Sequence, residues 1–246
     1  MIRFYRWTAA ILLLCAMLSP ALGGAVRAQD DAQAQIEQTA AAMLALKSFH
    51  FELETTAGTT SFQDAFELRS VSGDVVRPSS FQAEVAVKLA IVSLTLDVIS
   101  VDGNTWVKNP IGGDDSFIQV TGGDSDFQLP PTILLNPDQL VGQALKYLDD
   151  PQLGEPEELD GQQMTVVTGT FDPSKLIGGG TPIADLEEFS PSSQPLDVKA
   201  WIDDQDRLVR IDFSGPLFAF EEGSGRLVRS ITFSNFDNDV TISQPD

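Results

Sequence analysis

The stretch Phe81-Gln82-Ala83-Glu84-Val85-Ala86-Val87-Lys88-Leu89 decides the fold. Its odd positions are apolar and its even positions polar or small. Successive side chains of a strand point to opposite faces, so a period of two puts Phe81, Ala83, Val85, Val87 and Leu89 on one covered face. The other face stays wet, as in an antiparallel sheet packed on one side; a strand of a parallel sheet would read as an unbroken apolar run. The same alternation sets Phe49, Phe51 and Leu53 against His50, Glu52 and Glu54, and Phe66 and Leu68 against Glu67 and Arg69. It also sets Leu94, Leu96 and Val98 against Ser93, Thr95 and Asp97. Ala57-Gly58, Ser72-Gly73-Asp74 and Asp102-Gly103-Asn104 supply turn signals. Further strands are expected at 106–108, 117–120, 164–169, 196–202, 208–214, 229–236 and 240–242, with Asp203-Asp204-Gln205-Asp206 as a hairpin turn.

Helical spacing occurs twice. Residues 30–46 place Ile36, Ala40, Met43 and Leu44 on one stripe, with Asp30 and Asp31 where a helix dipole favours acids. Residues 137–147 open on Pro137 and put Leu140, Val141, Ala144, Leu145 and Leu148 on one side. A helical turn is expected at 173–176, and a loop or short helix at 177–195 anchored by Leu186 and Phe189. No internal repeat is visible, which excludes a solenoid or propeller. About ten strands with few helices make an α+β, mainly β chain: a curved antiparallel sheet covered on one face.

The first 28 residues read as a signal peptide and 29–246 as a single domain. Arg3 and Arg6 precede an apolar run from Trp7 to Leu18, too short to span a bilayer comfortably but suited to export. Val26-Arg27-Ala28 offers small residues for cleavage after Ala28. Cys15 is the alternative, as a lipidation site. Leu13 and Leu14 stand before it where a lipoprotein signal needs small residues, so cleavage after Ala28 is favoured.

Composition removes whole classes of function. The chain has 246 residues, 36 acids against 15 bases and a formal charge of −21, which leaves no basic stripe for nucleic acid. One Cys and one His provide no zinc site, disulfide framework or Cys–His pair. His50 lies on a wet strand face with no Ser or Cys motif beside it in sequence. The acidic turn 203–206, Asp114-Asp115 and Asp124-Ser125-Asp126 read as solvated turns rather than calcium loops. Gly178-Gly179-Gly180 lacks the Lys-Ser/Thr of a phosphate loop. No catalytic residue, metal site or cofactor is expected. By composition alone the apolar strand faces are a packed core.

Several segments change that reading. Met43-Leu44-Ala45-Leu46-Lys47-Ser48-Phe49-His50-Phe51 ends a helix and opens a strand, and Ser72-Gly73-Asp74-Val75-Val76-Arg77-Pro78 precedes the alternating one. Lys199-Ala200-Trp201-Ile202-Asp203, Arg207-Leu208-Val209-Arg210-Ile211 and Ile231-Thr232-Phe233-Ser234-Asn235-Phe236 follow, with a closing Val240-Thr241-Ile242. In this order and spacing, over residues 35–246, the chain resembles the LppX/LprAFG family of bacterial envelope lipoproteins. The resemblance implies a half-barrel, similar to LolA/LolB carriers, whose concave face is partly covered by helices and encloses an apolar cavity. It implies non-catalytic binding and transport of acylated lipids or lipoglycans by an exported monomer, which meets an envelope transporter or acceptor membrane. The poor setting of Cys15 departs from the family's lipidation motif. Candidate cavity residues are Phe51, Leu53, Phe66, Leu68, Phe81, Val85, Val87, Leu94, Leu96, Val98, Leu134, Leu140 and Leu145. Two other readings remain open: an envelope assembly or signalling module without bound lipid, and an acidic hydrolase.

Overall fold

The computed structural model describes residues 21–62, 66–89, 91–108, 116–120, 132–178 and 190–245. Helix α1 (Ala21–Ala45) leads into strands β1 (Ser48–Ala57), β2 (Thr60–Phe62), β3 (Phe66–Val76), β4 (Ser80–Leu89), β5 (Val92–Val101), β6 (Asn104–Lys108) and β7 (Phe117–Gln119). Two consecutive helices follow, α2 (Thr132–Leu135) and α3 (Pro137–Lys146). The chain then forms β8 (Asp149–Leu153), β9 (Glu157–Leu159), β10 (Gln162–Phe171) and α4 (Lys175–Gly178). It ends with β11 (Leu196–Ile202), β12 (Leu208–Ser214) and β13 (Val228–Ser234).

All thirteen strands join one antiparallel sheet in the order β7-β6-β5-β4-β3-β1-β13-β12-β11-β10-β8, with β2 on β3 and β9 on β10. The sheet stays open, because its edge strands β7 and β8 do not pair. Register shifts at Thr55/Ala57, Leu68/Ser70, Thr168/Thr170 and Trp201/Ile202 insert bulges. Bulges bend a strand and increase its twist, and here they curve the sheet.

The alternating residues fill the concave face. Phe51 stands opposite Phe233 and Leu53 opposite Ile231, while Val85 and Val87 stand opposite Leu96 and Leu94. The Phe49 and Phe233 rings meet edge-on at 5.7 Å. Ile36 and Met43 of α1 and Leu140, Val141, Ala144 and Leu145 of α3 close over this face in the same hydrophobic cluster. A second cluster of Met164, Val166 and Trp201 lies on the outer face, so both faces of β10 are covered.

Several expectations are corrected. Helix α1 starts at Ala21, so Asp30 and Asp31 lie in its interior and not in its first turn. Its buried stripe runs through Ala32, Ile36, Thr39 and Met43; Leu44 is 69% exposed, because one further residue turns a side chain about 100° away. Ser72-Gly73-Asp74 is inside β3, not in a turn. Gly73 lies between Phe51 and Ala83, and a Cβ there would come 2.1 Å from the Gln82 carbonyl oxygen. Glycine is needed for close strand approach, not for turning. Residues 240–242 form no strand. Both sides of β13 are taken by β1 and β12, and the chain after it turns back, its Asp237 amide donating to the Ser48 carbonyl at 2.9 Å. Asp114-Asp115, Asp124-Ser125-Asp126, Gly179-Gly180, Leu186 and Phe189 lie outside the described residues.

Candidate functional site: the apolar interior under the helices

The sequence-named residues converge. Phe51, Leu53, Leu68, Phe81, Val85, Val87, Leu96, Val98, Leu134, Leu140 and Leu145 are all buried in one cluster, and Leu94 packs against it partly buried. Phe66 begins β3, but its side chain and all of Cys15 lie outside the described residues. Four strands and two helices supply these groups, and the site is the contact between sheet and cover. No candidate lines a polar cavity of about 340 Å³ that opens on the outer face at Asp150, Thr168, Thr170, Asp197, Lys199 and Ser214.

Among the described residues, few polar contacts fasten the cover. The Asn136 side chain caps α3, accepting from the Asp138 amide at 3.2 Å, and Pro137 occupies the first turn. Asp138 accepts from Arg77 Nη2 at 2.7 Å, and the Arg77 guanidinium lies 5.7 Å over the Phe49 ring. Burial raises the Asp138 pKa above its ordinary 3.8, and the Arg77 charge offsets this only in part. On α1, Gln35 Nε2 donates to Asp206 Oδ1 at 2.9 Å.

The 203–206 turn is not simply solvated. Asp203 is buried, its Oδ1 accepting from the Gln205 and Arg207 amides and its Oδ2 from Arg207 Nε at 2.8 Å. The carboxylate builds the turn itself. Among the described residues, no three His, Cys, Asp or Glu side chains converge as a metal site would need.

A buried ion pair escaped the sequence reading. Arg229, 1% exposed, pairs through Nη2 with Glu221, and its Nε donates to Thr60 Oγ1 at 3.1 Å. Glu221 also accepts from the Leu217 and Phe218 amides at 2.8 and 3.1 Å. Burial depresses the Arg229 pKa from its ordinary value, and Glu221 restores part of it. The signal was there: Arg229 shares the odd register of Ile231 and Phe233 and so falls on the covered face.

His50 also has neighbours that the sequence hid. Its Nδ1 lies 2.8 Å from Asp74 Oδ1, and its Nε2 lies 3.4 Å from Ser72 Oγ. The β1–β3 register brings them together, His50 opposite Asp74 and Glu52 opposite Ser72. The row resembles a hydrolase triad, but β1 and β3 are paired on both sides and spend their amides in the ladder. Around this row the ladder leaves no strand amide free, among the described residues, to hold an oxyanion.

The comparisons agree with this architecture. A family model for the LppX_LprAFG lipoprotein matches residues 31–242. LprF from Mycobacterium bovis superposes with a TM-score of 0.60 at 20% identity, over 88% of this chain and 97% of that one. The lipoprotein LppX of Mycobacterium tuberculosis gives 0.53 at 19% identity, over 87% and 99%. A comparison with curated proteins returns no match. An open antiparallel sheet covered by helices, shared with two solved structures across most of its length, and a family match over residues 31–242 lead to one conclusion: the chain belongs to the LppX/LprAFG lipoprotein family.

Proposed function

We propose that the protein is exported to the bacterial envelope, where it binds acylated lipids or lipoglycans between its concave sheet face and its helices and carries them without catalysis. One observation carries this reading: among the described residues a single apolar cluster runs from β5 across to β10 beside the buried Arg229–Glu221 pair, and its cover is fastened at Gln35–Asp206 and Arg77–Asp138. Apolar contact is non-directional, so a cover held mainly by it can be re-formed on an acyl chain. Each methylene taken out of water contributes about 0.8 kcal/mol, so one long chain holds a lipid without a polar anchor. In the arrangement described, sheet and cover touch directly, and the chain enters as they part.

The tight burial of the candidates also favours a second reading, an assembly module whose apolar face is all core. Val87 separates the two. It is buried opposite Leu68 and Leu94. In a carrier, Val87→Trp occupies the space of the acyl chain, and the folded variant co-purifies with less lipid. In a plain core the indole overpacks the site and costs about 1–3 kcal/mol, with no lipid in the parent protein.

A further inference from the structure

Among the described residues three hairpins have two-residue connections, and one of them breaks the rule the others follow. Val101 pairs with Asn104 around Asp102-Gly103, and Leu159 pairs with Gln162 around Asp160-Gly161. Both connections have positive φ at both positions, 51° and 82° in the first and 52° and 81° in the second. This is the tight hairpin geometry for which Asp-Gly is suited. Leu89 pairs with Val92 in the same way, but the two residues between them are Ala90-Ile91. A β-branched residue gains nothing there as a turn former, so its reason lies outside the turn.

Ile91 is 94% exposed, and Leu89 and Val92 beside it are 45% and 50% exposed. From Val85 to Leu96 the sequence holds no acid and one base, Lys88, although the chain carries −21. The acid facing this hairpin in the ladder, Glu67, is held by Arg69 at 3.0 Å and Lys88 at 4.0 Å. Phe220, 45% exposed, lies at the same end of the sheet, just before β13.

We propose that the β4–β5 hairpin tip is a membrane-docking point that inserts Leu89, Ile91 and Val92 into the surface of a lipid bilayer. Three side chains on a narrow tip offer far less than the roughly 800 Å² per partner of a stable protein interface. They suffice for shallow insertion, where bulk hydrocarbon and not a shaped pocket receives them. Among the described residues the tip carries no unpaired acid, which reduces the repulsion that would keep the rest of this acidic molecule off a membrane. The docking point is separate from the apolar interior, so it stands or falls independently of the lipid cargo.

The test uses the full chain with phosphatidylcholine vesicles containing brominated lipid. In Ile91→Trp the added fluorescence should shift to the blue and be quenched by the bromines. Leu44→Trp, at the other end of the sheet, should remain unquenched. Replacing Ala90-Ile91 by Asn-Gly (Ala90→Asn, Ile91→Gly) supplies residues that two-residue hairpins favour and should leave the melting temperature and extractable lipid unchanged. In flotation it should lower the vesicle-bound fraction attributable to the tip at least tenfold. A quenched position 91 without co-purified lipid would refute the carrier and keep the docking point; an unquenched position 91 in a lipid-loaded protein would do the reverse. Concentration-dependent dimerisation abolished by Asn-Gly, with no quenching, would assign the tip to a second copy and overturn the proposal.

Discussion

Arg77 Nη2 lies 2.7 Å from Asp138 Oδ1, and through this contact the turn after β3 holds the first turn of α3. The pair sits at the rim of the apolar interior, with Arg77 stacked over Phe49, so it fastens the cover to the sheet at one end. Arg77→Met leaves Asp138 without its cation and should cost about 1–3 kcal/mol in urea unfolding. If α3 moves to admit lipid, the same change should speed exchange of a fluorescent acylated probe. An unchanged exchange rate in a destabilised variant would make the contact purely structural.

Asp138 also gives stability a pH signature. Its folded pKa is raised by burial, so the folded chain holds this proton more tightly than the unfolded chain. Its contribution is full below 3.8 and is lost as pH rises through the higher folded value. Glu157 and Glu222 act in the opposite direction, lowered first by the Lys199 side chain and the Ser193 amide respectively. They contribute above 4.5 and fade as pH falls through their lowered values. The melting temperature of wild type minus that of Asp138→Asn should therefore fall as pH rises from 3.8 upward. A difference that stays flat or grows would contradict the buried-carboxylate picture.

The Arg229–Glu221 pair should behave as a unit. Glu221→Ala leaves a buried guanidinium uncompensated and two amides without their acceptor, and should cost about 3–5 kcal/mol. Arg229→Met combined with Glu221→Gln removes both charges and keeps an amide oxygen for the backbone. Denaturation should show the double variant losing less than the sum of the two single losses. Strict additivity would mean the residues are not coupled.

Gly73 provides a test of sheet packing. A methyl at this position meets the Gln82 carbonyl oxygen at 2.1 Å, and backbone there cannot give way cheaply. Gly73→Ala should cost about 3 kcal/mol or more, while Gly142→Ala, with open space around it, should be neutral or stabilising. Equal effects in thermal unfolding would contradict the β3–β4 register.

What the sequence revealed follows from where its signals are local. β11 and β12 match the expected spans because alternation runs through Leu196, Val198 and Ala200 and through Ile211 and Phe213 on either side of the acidic turn, and α3 matches because Pro137 and its apolar stripe mark start and face. β2 and β9, three residues each, are too short to show a period, and β8 is polar along most of its length. The Asp102-Gly103 hairpin is legible, while Asp160-Gly161 is not singled out and Gly73 reads as a turn because the same residue serves a turn and a close strand contact. Arg229 was visible only as a charge in apolar register. The His50–Asp74–Ser72 row depends on which strands pair, and no window of sequence contains that.

The most direct measurement is organic extraction of the protein purified from a bacterial envelope, followed by mass spectrometry of the extract. A carrier should yield acylated lipid near one equivalent per chain, reduced in Val87→Trp and retained when Ala90-Ile91 is replaced by Asn-Gly. Protein that is folded, lipid-free and unable to take up an acylated probe after its cover is loosened by Arg77→Met would contradict lipid carriage and leave the apolar face as core alone.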